Sequence, residues 1–251
     1  MKEGKFLIFD VVDNVGILTL NNGPNNILGM EFYLELAEFQ QVIGASGVRA
    51  LVINANGRHF SAGINLKELK DAVNSEFIIQ NLPWLQKIYG HWQDLSIPVI
   101  AAVHGLCIGS GVELILGCDI RLSAAGAKYS LPEVSFGLAP DMGGTTRLAR
   151  LVGASQAKRL ILGCEQIDAQ EALRIGLVDE VVPDDQLYHR AMALAQKMAS
   201  MPAAAMGFAK KGINTACESG TPAGLIFEQA QSAYCCGTEE QKQRIAEFFK
   251  K

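Results

Sequence analysis

The hydrophobic pattern of the first part of the chain predicts short strands that alternate with helices. Residues 5–12 and 15–21 are two apolar runs joined at Asp13-Asn14, a pair typical of tight turns. Residues 30–44 have the spacing of an amphipathic helix, and 50–56 form the short apolar run of a buried strand. From 66 to 95 the pattern is helical again.

Residues 97–119 contain the most informative pattern. Ile97–Val103 is short, β-branched and uncharged, as in a buried strand. Gly105, Gly109 and Gly111 then permit sharp turns, and an apolar segment follows with the spacing of a helix packed on that strand. Glu113 lies in the first turn of this helix, where free N–H groups favour negative charge.

The remaining sequence continues this alternation to about residue 195 and is helical afterwards. Strands are predicted at 119–125, 127–133 and 177–183. Helices are predicted after the Gly143-Gly144 turn, at 155–164 and at 168–176, where Asp168 and Glu171 form a capping-box pattern. Four helical segments follow from 185, the last with a second capping box at Thr238 and Gln241. We therefore expect two parts, 1–195 and 196–251.

Composition excludes several classes of protein. The chain has 251 residues, 49% of them hydrophobic, enough for one large core, and its net charge of −4 with no basic block does not favour nucleic-acid binding. No uncharged apolar run reaches about 18 residues, so no membrane span is predicted. The first residues lack a signal-peptide core, and the six cysteines lack C-x-x-C spacing, which predicts reduced thiols in a cytoplasmic protein. The four histidines have no metal-ligand spacing, so no metal site is predicted.

The glycine-rich turn does not match two familiar motifs. Leu114 stands where a dinucleotide fingerprint needs its third glycine, and Ser110 is flanked directly by glycines, unlike the serine of a nucleophile elbow. A second glycine-bearing turn follows the strand at 50–55. If the two turns face each other, N–H groups at Ala62 and Ser110 can converge on one oxygen, as in an oxyanion hole. The alternative is two tight structural turns.

Three carboxylates accompany these turns in apolar sequence: Glu113, Glu133 and Asp141. Taken singly, they suit a helix cap, a surface loop and a turn, respectively. Gathered in one apolar pocket, they would perturb each other's pKa values and suit proton transfer near neutral pH. Together with the two turns, they favour catalysis.

The chain resembles the crotonase (enoyl-CoA hydratase/isomerase) superfamily over nearly its whole length, and most closely an enoyl-CoA hydratase. The residues that carry the resemblance, in family order, are Phe60-Ser-Ala-Gly-Ile-Asn-Leu-Lys-Glu68, Ile97–Gly105, Gly109-Ser-Gly-Val-Glu-Leu114, Cys118-Asp119, Pro132-Glu133 and Gly143-Gly-Thr-Thr-Arg-Leu148. The resemblance implies an α/β fold, a spiral of ββα units, in 1–195. It implies that 196–251 is a helical segment that builds homotrimers or homohexamers.

The resemblance also implies roles for the candidate residues. Ala62 and Ser110 would donate backbone N–H groups to the carbonyl of an acyl-CoA thioester, although the family more often has glycine at the place of Ser110. Glu113 would activate the water that adds at the β-carbon, and Glu133 would exchange a proton with the α-carbon. No cofactor is implied, because coenzyme A is part of the substrate.

Further substrate contacts are implied along the same motifs. Asn65 replaces a frequent aspartate and is still expected to cap the following helix. Trp84, with Leu69 and Phe77, would line the acyl end. The predicted substrate-binding residues are Arg58, Ser61, Gly63, Ile64, Asn65, Leu66, Lys67, Trp84, Gly109 and Lys251.

Three functions are favoured, and other reactions of the family, such as thioester hydrolysis, dehalogenation or decarboxylation, also remain open because an oxyanion hole serves any thioester enolate or tetrahedral intermediate. The first is hydration of a trans-2-enoyl-CoA, a lyase reaction of fatty acid metabolism. The second is isomerisation of an enoyl-CoA or dienoyl-CoA, because some family isomerases have an aspartate at the position of Asp141. The third is a non-catalytic binding module of the same fold, against which the two glutamates count.

Overall fold

A seven-stranded sheet forms the centre of the protein, whose computed structural model describes residues 1–72 and 74–250. The strands of the described chain are β1 (Lys2–Glu3), β2 (Leu7–Val12), β3 (Val15–Leu20), β4 (Ala50–Ala55), β5 (Val99–Val103), β6 (Leu106–Ile108), β7 (Ile120–Ala124), β8 (Lys128–Ser130), β9 (Ile167–Asp168) and β10 (Glu180–Val182). The large sheet has the order β1-β2-β3-β4-β5-β7-β10, and β6, β8 and β9 form a second, three-stranded sheet.

The β2–β3 hairpin confirms the first sequence prediction. Its strands are antiparallel, with Val12 opposite Val15. Asp13 and Asn14 both have positive φ, 49° and 64°, the left-handed conformation that Asn and Asp tolerate best and that a two-residue hairpin turn needs. Beyond β3 the neighbouring strands of the large sheet run parallel.

Successive units of the chain place one strand in each sheet and then a helix. β5 lies in the large sheet and β6 in the small one, and a helix follows; β7 and β8 repeat this arrangement. This is the predicted spiral of ββα units. The sequence did not indicate β6 or β9, because strands of two or three residues between turn signals are too short to show an alternating pattern.

The helices agree with the predicted pattern, with one added break. They are α1 (Met30–Ala45), α2 (Leu66–Ala72), α3 (Ser75–Asp94), α4 (Ser110–Leu116), α5 (Gly144–Leu162), α6 (Ala169–Arg174), α7 (Leu187–Ala199), α8 (Ala203–Ser219), α9 (Thr221–Cys235) and α10 (Glu239–Phe248), with 3-10 turns at Glu133–Phe136 and Asp184–Gln186. The predicted helix at 66–95 is two helices, because the Asn74 side chain accepts the Phe77 N–H and starts α3. α5 bends at Gly153, where two helices were predicted.

The predicted division at 195 falls inside α7, which packs on β4 and β5. The helices that follow, α8 to α10, carry several largely exposed apolar side chains: Ile213, Leu225, Ile226, Tyr234 and Phe248.

No helix in the described part of the chain is both long and apolar enough to cross a membrane. The described residues also contain no group of three or more acidic, histidine or cysteine side chains placed to hold a metal ion.

Candidate active site

The two glycine-bearing turns pair with each other along their backbones. The Ser61 N–H donates to the Leu106 carbonyl, and the Ile108 N–H donates to the Ser61 carbonyl, both at 3.0 Å. Gly63 has φ of +89°, and a Cβ on it would lie 2.9 Å from the Ile108 carbonyl oxygen, so only glycine fits this approach. The structure therefore brings together the turns that the sequence could only pair as a hypothesis.

The pairing decides which N–H groups of the first turn are available. The Ala62 N–H donates to the Asn25 carbonyl at 2.8 Å, and the Gly63 N–H donates to the Ser61 hydroxyl at 3.1 Å. The Ile64 N–H has no acceptor among the described residues. The prediction that Ala62 is the free donor is therefore wrong, and the available N–H in this turn is that of Ile64.

Ser110 provides an available N–H in the second turn. It is the first residue of α4, and the first N–H groups of a helix have no partner within the helix. The neighbouring Gly109 N–H donates to the Ser130 carbonyl at 2.8 Å, whereas that of Ser110 has no acceptor in the described chain. Ile64 and Ser110 line the same cavity.

This cavity has a volume of about 550 Å³ and brings all three predicted carboxylates together. Much of its wall is apolar, with contributions from α2, α3 and the loop before α5. The lining residues are Ile64, Leu69, Asn74, Ser75, Ile78, Ile79, Ser110, Glu113, Glu133, Leu138, Ala139, Pro140, Asp141 and Met142.

Glu113 is 2% exposed and is held by the loop that precedes α5. Its Oε1 accepts hydrogen bonds from the N–H groups of Met142 at 2.9 Å and Gly144 at 2.8 Å, which leaves Oε2 without a partner among the described residues. Burial is the main reason that the pKa of Glu113 is raised to about 7. The hydrogen bond from the Gly144 N–H lowers this pKa, and the negative charges of Glu133 and Asp141 raise it. Glu113 therefore changes its ionisation near neutral pH, which suits a general base.

Glu133 lies across the turn from Ser110. A Cβ on Gly109 would be only 2.8 Å from Glu133 Oε1, so the bare glycine leaves room for this carboxyl group. Glu133 Oε2 is buried and has no hydrogen-bond partner in the described chain. Burial raises the pKa of Glu133, and the charge of Asp141 adds to the rise. Both effects favour the protonated form of this carboxyl group over its ionised form.

Asp141 lies at the more exposed side of the cavity. Burial raises the pKa of its carboxyl group. The Gln86 side chain donates to the Asp141 carbonyl oxygen at 2.7 Å, which fixes this loop to α3. The structure therefore places Asp141 with the two glutamates, as the sequence predicts.

The other predicted contacts divide into structural residues and exposed ones. Asn65 accepts the N–H groups of Lys67 and Glu68, which confirms its role as a cap, and Ser61 is buried within the turn. Arg58, Leu66 and Lys67 are exposed outside the cavity and remain predictions, and Lys251 lies outside the described residues.

Trp84 does not line the cavity, contrary to expectation. It is half-buried and packs against the core. Phe77 is not among the lining residues either, whereas Leu69 and two α3 residues, Ile78 and Ile79, form the apolar wall. Helical spacing alone does not show which side of α3 faces the cavity. The N–H groups of Met142 and Gly144 were also missed, because backbone donors carry no sequence signal.

Comparison with known proteins decides the family. A family model described as enoyl-CoA hydratase/isomerase matches residues 10–251. The chain belongs to this family. It is 35% identical over 259 residues to the short-chain-enoyl-CoA hydratase of Clostridium acetobutylicum, covering 100% of this chain and 93% of that protein. It is 34% identical over 250 residues to the 2,3-dehydroadipyl-CoA hydratase of Escherichia coli, covering 98% and 96%.

Solved structures agree with this assignment. An enoyl-CoA hydratase from Bacillus anthracis superposes with a TM-score of 0.92 at 31% identity, covering 98% of this chain and 96% of that one. An enoyl-CoA hydratase from Geobacillus kaustophilus gives a TM-score of 0.94 at 27% identity, covering 99% and 95%. The fold is therefore the crotonase fold of the family's hydratases, as the sequence predicts.

Proposed function

We propose that the protein adds water reversibly across the 2,3 double bond of a trans-2-enoyl-CoA. One observation carries this proposal: Glu113 and Glu133 line the same apolar cavity as Ile64 and Ser110, whose N–H groups have no acceptor among the described residues. Two carboxyl groups provide the base and the acid, and two N–H donors provide the place for negative charge.

The thioester carbonyl oxygen accepts hydrogen bonds from the Ile64 and Ser110 N–H groups. As electrons move from the double bond to this oxygen, an enolate forms and its charge strengthens both hydrogen bonds. One such donor stabilises a transition state by roughly 3–4 kcal/mol. Ser110 is as suitable as the glycine more frequent in the family, because the donor belongs to the backbone.

Glu113 and Glu133 move the two protons. Ionised Glu113 takes a proton from water through Oε2, and the hydroxide oxygen forms a bond to the β-carbon. The electron pair of the double bond moves into the thioester enolate, which collapses when the α-carbon takes the proton of Glu133. Glu113 is then protonated and Glu133 ionised, and proton exchange with solvent restores both for the next turnover.

The cavity favours an uncharged, apolar acyl chain. Leu69, Ile78, Ile79 and Leu138 form its wall, and none of the described lining residues carries a positive charge. A dicarboxylic acyl group such as the one named for the Escherichia coli relative would bury a carboxylate without a partner, at a large desolvation cost. We therefore propose a hydrocarbon enoyl-CoA as substrate.

Asp141 supports a second candidate, double-bond isomerisation. Asp141 lines the same cavity as Glu133, and the negative charge of Asp141 raises the pKa of the Glu133 carboxyl group. A pair of carboxyl groups along the acyl chain can remove a proton at one carbon and return one at another, with no net addition of water.

We also propose that the active protein is a homotrimer or homohexamer. The large apolar side chains exposed on α8 and α9, including Ile213 and Ile226, are costly in a monomer and suited to a subunit interface. Light scattering coupled to gel filtration tests this directly. A mass three or six times 27.0 kDa supports the proposal, and a monomer contradicts it.

Two assays on the purified protein test the reaction. One measures the loss of conjugated-thioester absorbance from crotonyl-CoA, and the other measures its appearance from a 3-enoyl-CoA. Rapid turnover in the first supports the hydratase, and turnover only in the second supports the isomerase. No turnover in either contradicts both and favours another thioester reaction or a binding module.

A further inference from the structure

Arg147, in the first turns of α5, lies in a slot built from two elements. Its Nε donates to the Gln93 side-chain oxygen of α3 at 2.8 Å, and its Nη1 donates to the Met142 carbonyl at 3.0 Å. Two glycines make room for the guanidinium group. A Cβ on Gly90 would lie 3.0 Å from Nη2, and one on Gly143 would overlap Nη1.

The Met142 residue that accepts from Arg147 also donates to Glu113. Its carbonyl oxygen bonds to Arg147 Nη1, and its N–H bonds to Glu113 Oε1 at 2.9 Å. The next residue, Gly143, has φ of +114°, which holds the turn in a conformation that other residues rarely adopt. Gly144 then supplies the second N–H to Glu113. Arg147 thus braces the turn from the side opposite to the carboxylate.

The charge of Arg147 acts on the same carboxyl group. The charge of Glu113 raises the pKa of the Arg147 guanidinium group. Because Arg147 is half-buried, water does not fully screen the attraction between the two charges. Among the described residues, the other ionisable groups that act on Glu113 are the acidic side chains of Glu133, Asp141, Tyr33 and Tyr89. Besides Glu113, those that act on Arg147 are Asp94 in α3, Arg150 in α5 and Glu218 in α8.

We propose that Arg147 is a positioning residue for the proposed reaction, which holds the 142–144 turn against Glu113 and keeps that carboxyl group available as a base. This inference rests on the proposed function, in which Glu113 activates water. The outer side of Arg147 faces a second cavity, of about 580 Å³, so a smaller side chain can be accommodated there without rearranging the core.

The pH dependence of kcat tests this role in Arg147→Met, Arg147→Lys and the control Arg150→Met. Without the cation, Glu113 ionises less readily, so the acidic limb of Arg147→Met should move up by roughly one pH unit. Activity at pH 6 should then fall about tenfold relative to wild type, while the plateau at pH 9 changes little. Arg147→Lys should keep its limb close to that of wild type. Arg150→Met should also match wild type, because Arg150 is exposed on the same helix and, within the described chain, the arginine that bonds to the turn is Arg147.

Two outcomes contradict the proposal: an unmoved limb in Arg147→Met, or an equal loss at every pH, which indicates a structural role. If Arg147→Met does not fold, Gln93→Leu frees the guanidinium group without removing it and should move the limb in the same direction by a smaller amount. In that case an unmoved limb in Gln93→Leu overturns the inference.

A second readout separates this proposal from the proposed function. The infrared band of protonated carboxyl groups that is lost in Glu113→Gln reports the ionisation of Glu113 without turnover. If wild type hydrates no enoyl-CoA but this band titrates at higher pH in Arg147→Met, the function is wrong and the role of Arg147 stands. If turnover is present and the band does not move, the role of Arg147 is wrong.

Discussion

Glu113 accepts the Gly144 N–H at 2.8 Å although the two residues lie 31 positions apart in the chain. The bond joins α4, whose first residue is Ser110, to the N-terminus of α5 on the other side of the cavity. A helix N-terminus favours a negative charge, and burial opposes it. These two opposing effects leave the pKa of Glu113 at about 7. A modest change at either helix end therefore changes the fraction of Glu113 that is ionised and can act as a base.

The raised pKa of Glu113 predicts a pH-dependent stability difference between wild type and Glu113→Gln. The folded carboxyl group ionises near pH 7, and the unfolded one near its ordinary value of 4.5. The folded protein therefore binds more protons in this range, and wild type should lose stability relative to the variant as pH rises from about 4.5 to about 7. The total loss should be on the order of 3 kcal/mol.

Urea unfolding of both proteins between pH 4.5 and 8 measures this difference. Glu38→Gln, at an exposed position of α1, is the control for the loss of one negative charge. A difference that stays constant over the whole range would contradict the buried, acidic environment assigned to Glu113.

The assignment of Ser110 as a backbone donor predicts different effects for two substitutions at one position. Ser110→Pro removes the N–H, and proline is a favourable residue at the first position of a helix, which Ser110 occupies in α4. Turnover should fall by about 10²–10³-fold, the usual effect of losing one oxyanion donor. Ser110→Ala keeps the N–H and should stay within about tenfold of wild type, since it loses at most one hydroxyl interaction.

Initial rates with crotonyl-CoA at saturating substrate give this comparison, with circular dichroism to confirm folding. Equal activity in the two variants would show that the Ser110 N–H does not stabilise the enolate.

The sequence predicts elements and side chains better than it predicts which backbone groups are free. The Asp13-Asn14 turn and the Asn65 cap follow from local chemistry and are confirmed. Ala62 was the wrong donor because its N–H bonds to Asn25, a residue 37 positions earlier whose proximity only the fold determines. The resemblance to the family supplied what local patterns lacked, namely that the turns meet around one cavity.

Acyl-pocket residues were predicted least well, for a related reason. The helical pattern from 66 to 95 is rich in apolar residues on several sides, so it does not show which side of α3 faces the cavity. Ile78 and Ile79 then line the cavity, while Trp84 packs on the core. Spacing identifies an amphipathic helix but not its partner.

Asp141 predicts a separation between the two candidate reactions. Asp141→Asn keeps the size of the side chain and removes the base. Hydration of crotonyl-CoA by Glu113 and Glu133 should remain within about threefold of wild type, whereas double-bond migration from a 3-enoyl-CoA should fall by about 10²-fold or more, as expected for loss of a general acid–base. Measuring both rates on the same preparations makes the ratio independent of enzyme concentration. A large loss of hydration would show that Asp141 belongs to the hydratase machinery.

The most direct test of the account is the hydration of crotonyl-CoA by wild type, Glu113→Gln and Glu133→Gln. We expect rapid loss of the conjugated-thioester absorbance in wild type and a decrease in rate of about 10²–10⁴-fold in each variant, since each removes one proton-transfer group. Acyl-CoA binding and circular dichroism should remain close to those of wild type. Undiminished turnover in either variant would contradict the central claim that these two carboxyl groups act on one substrate in one cavity.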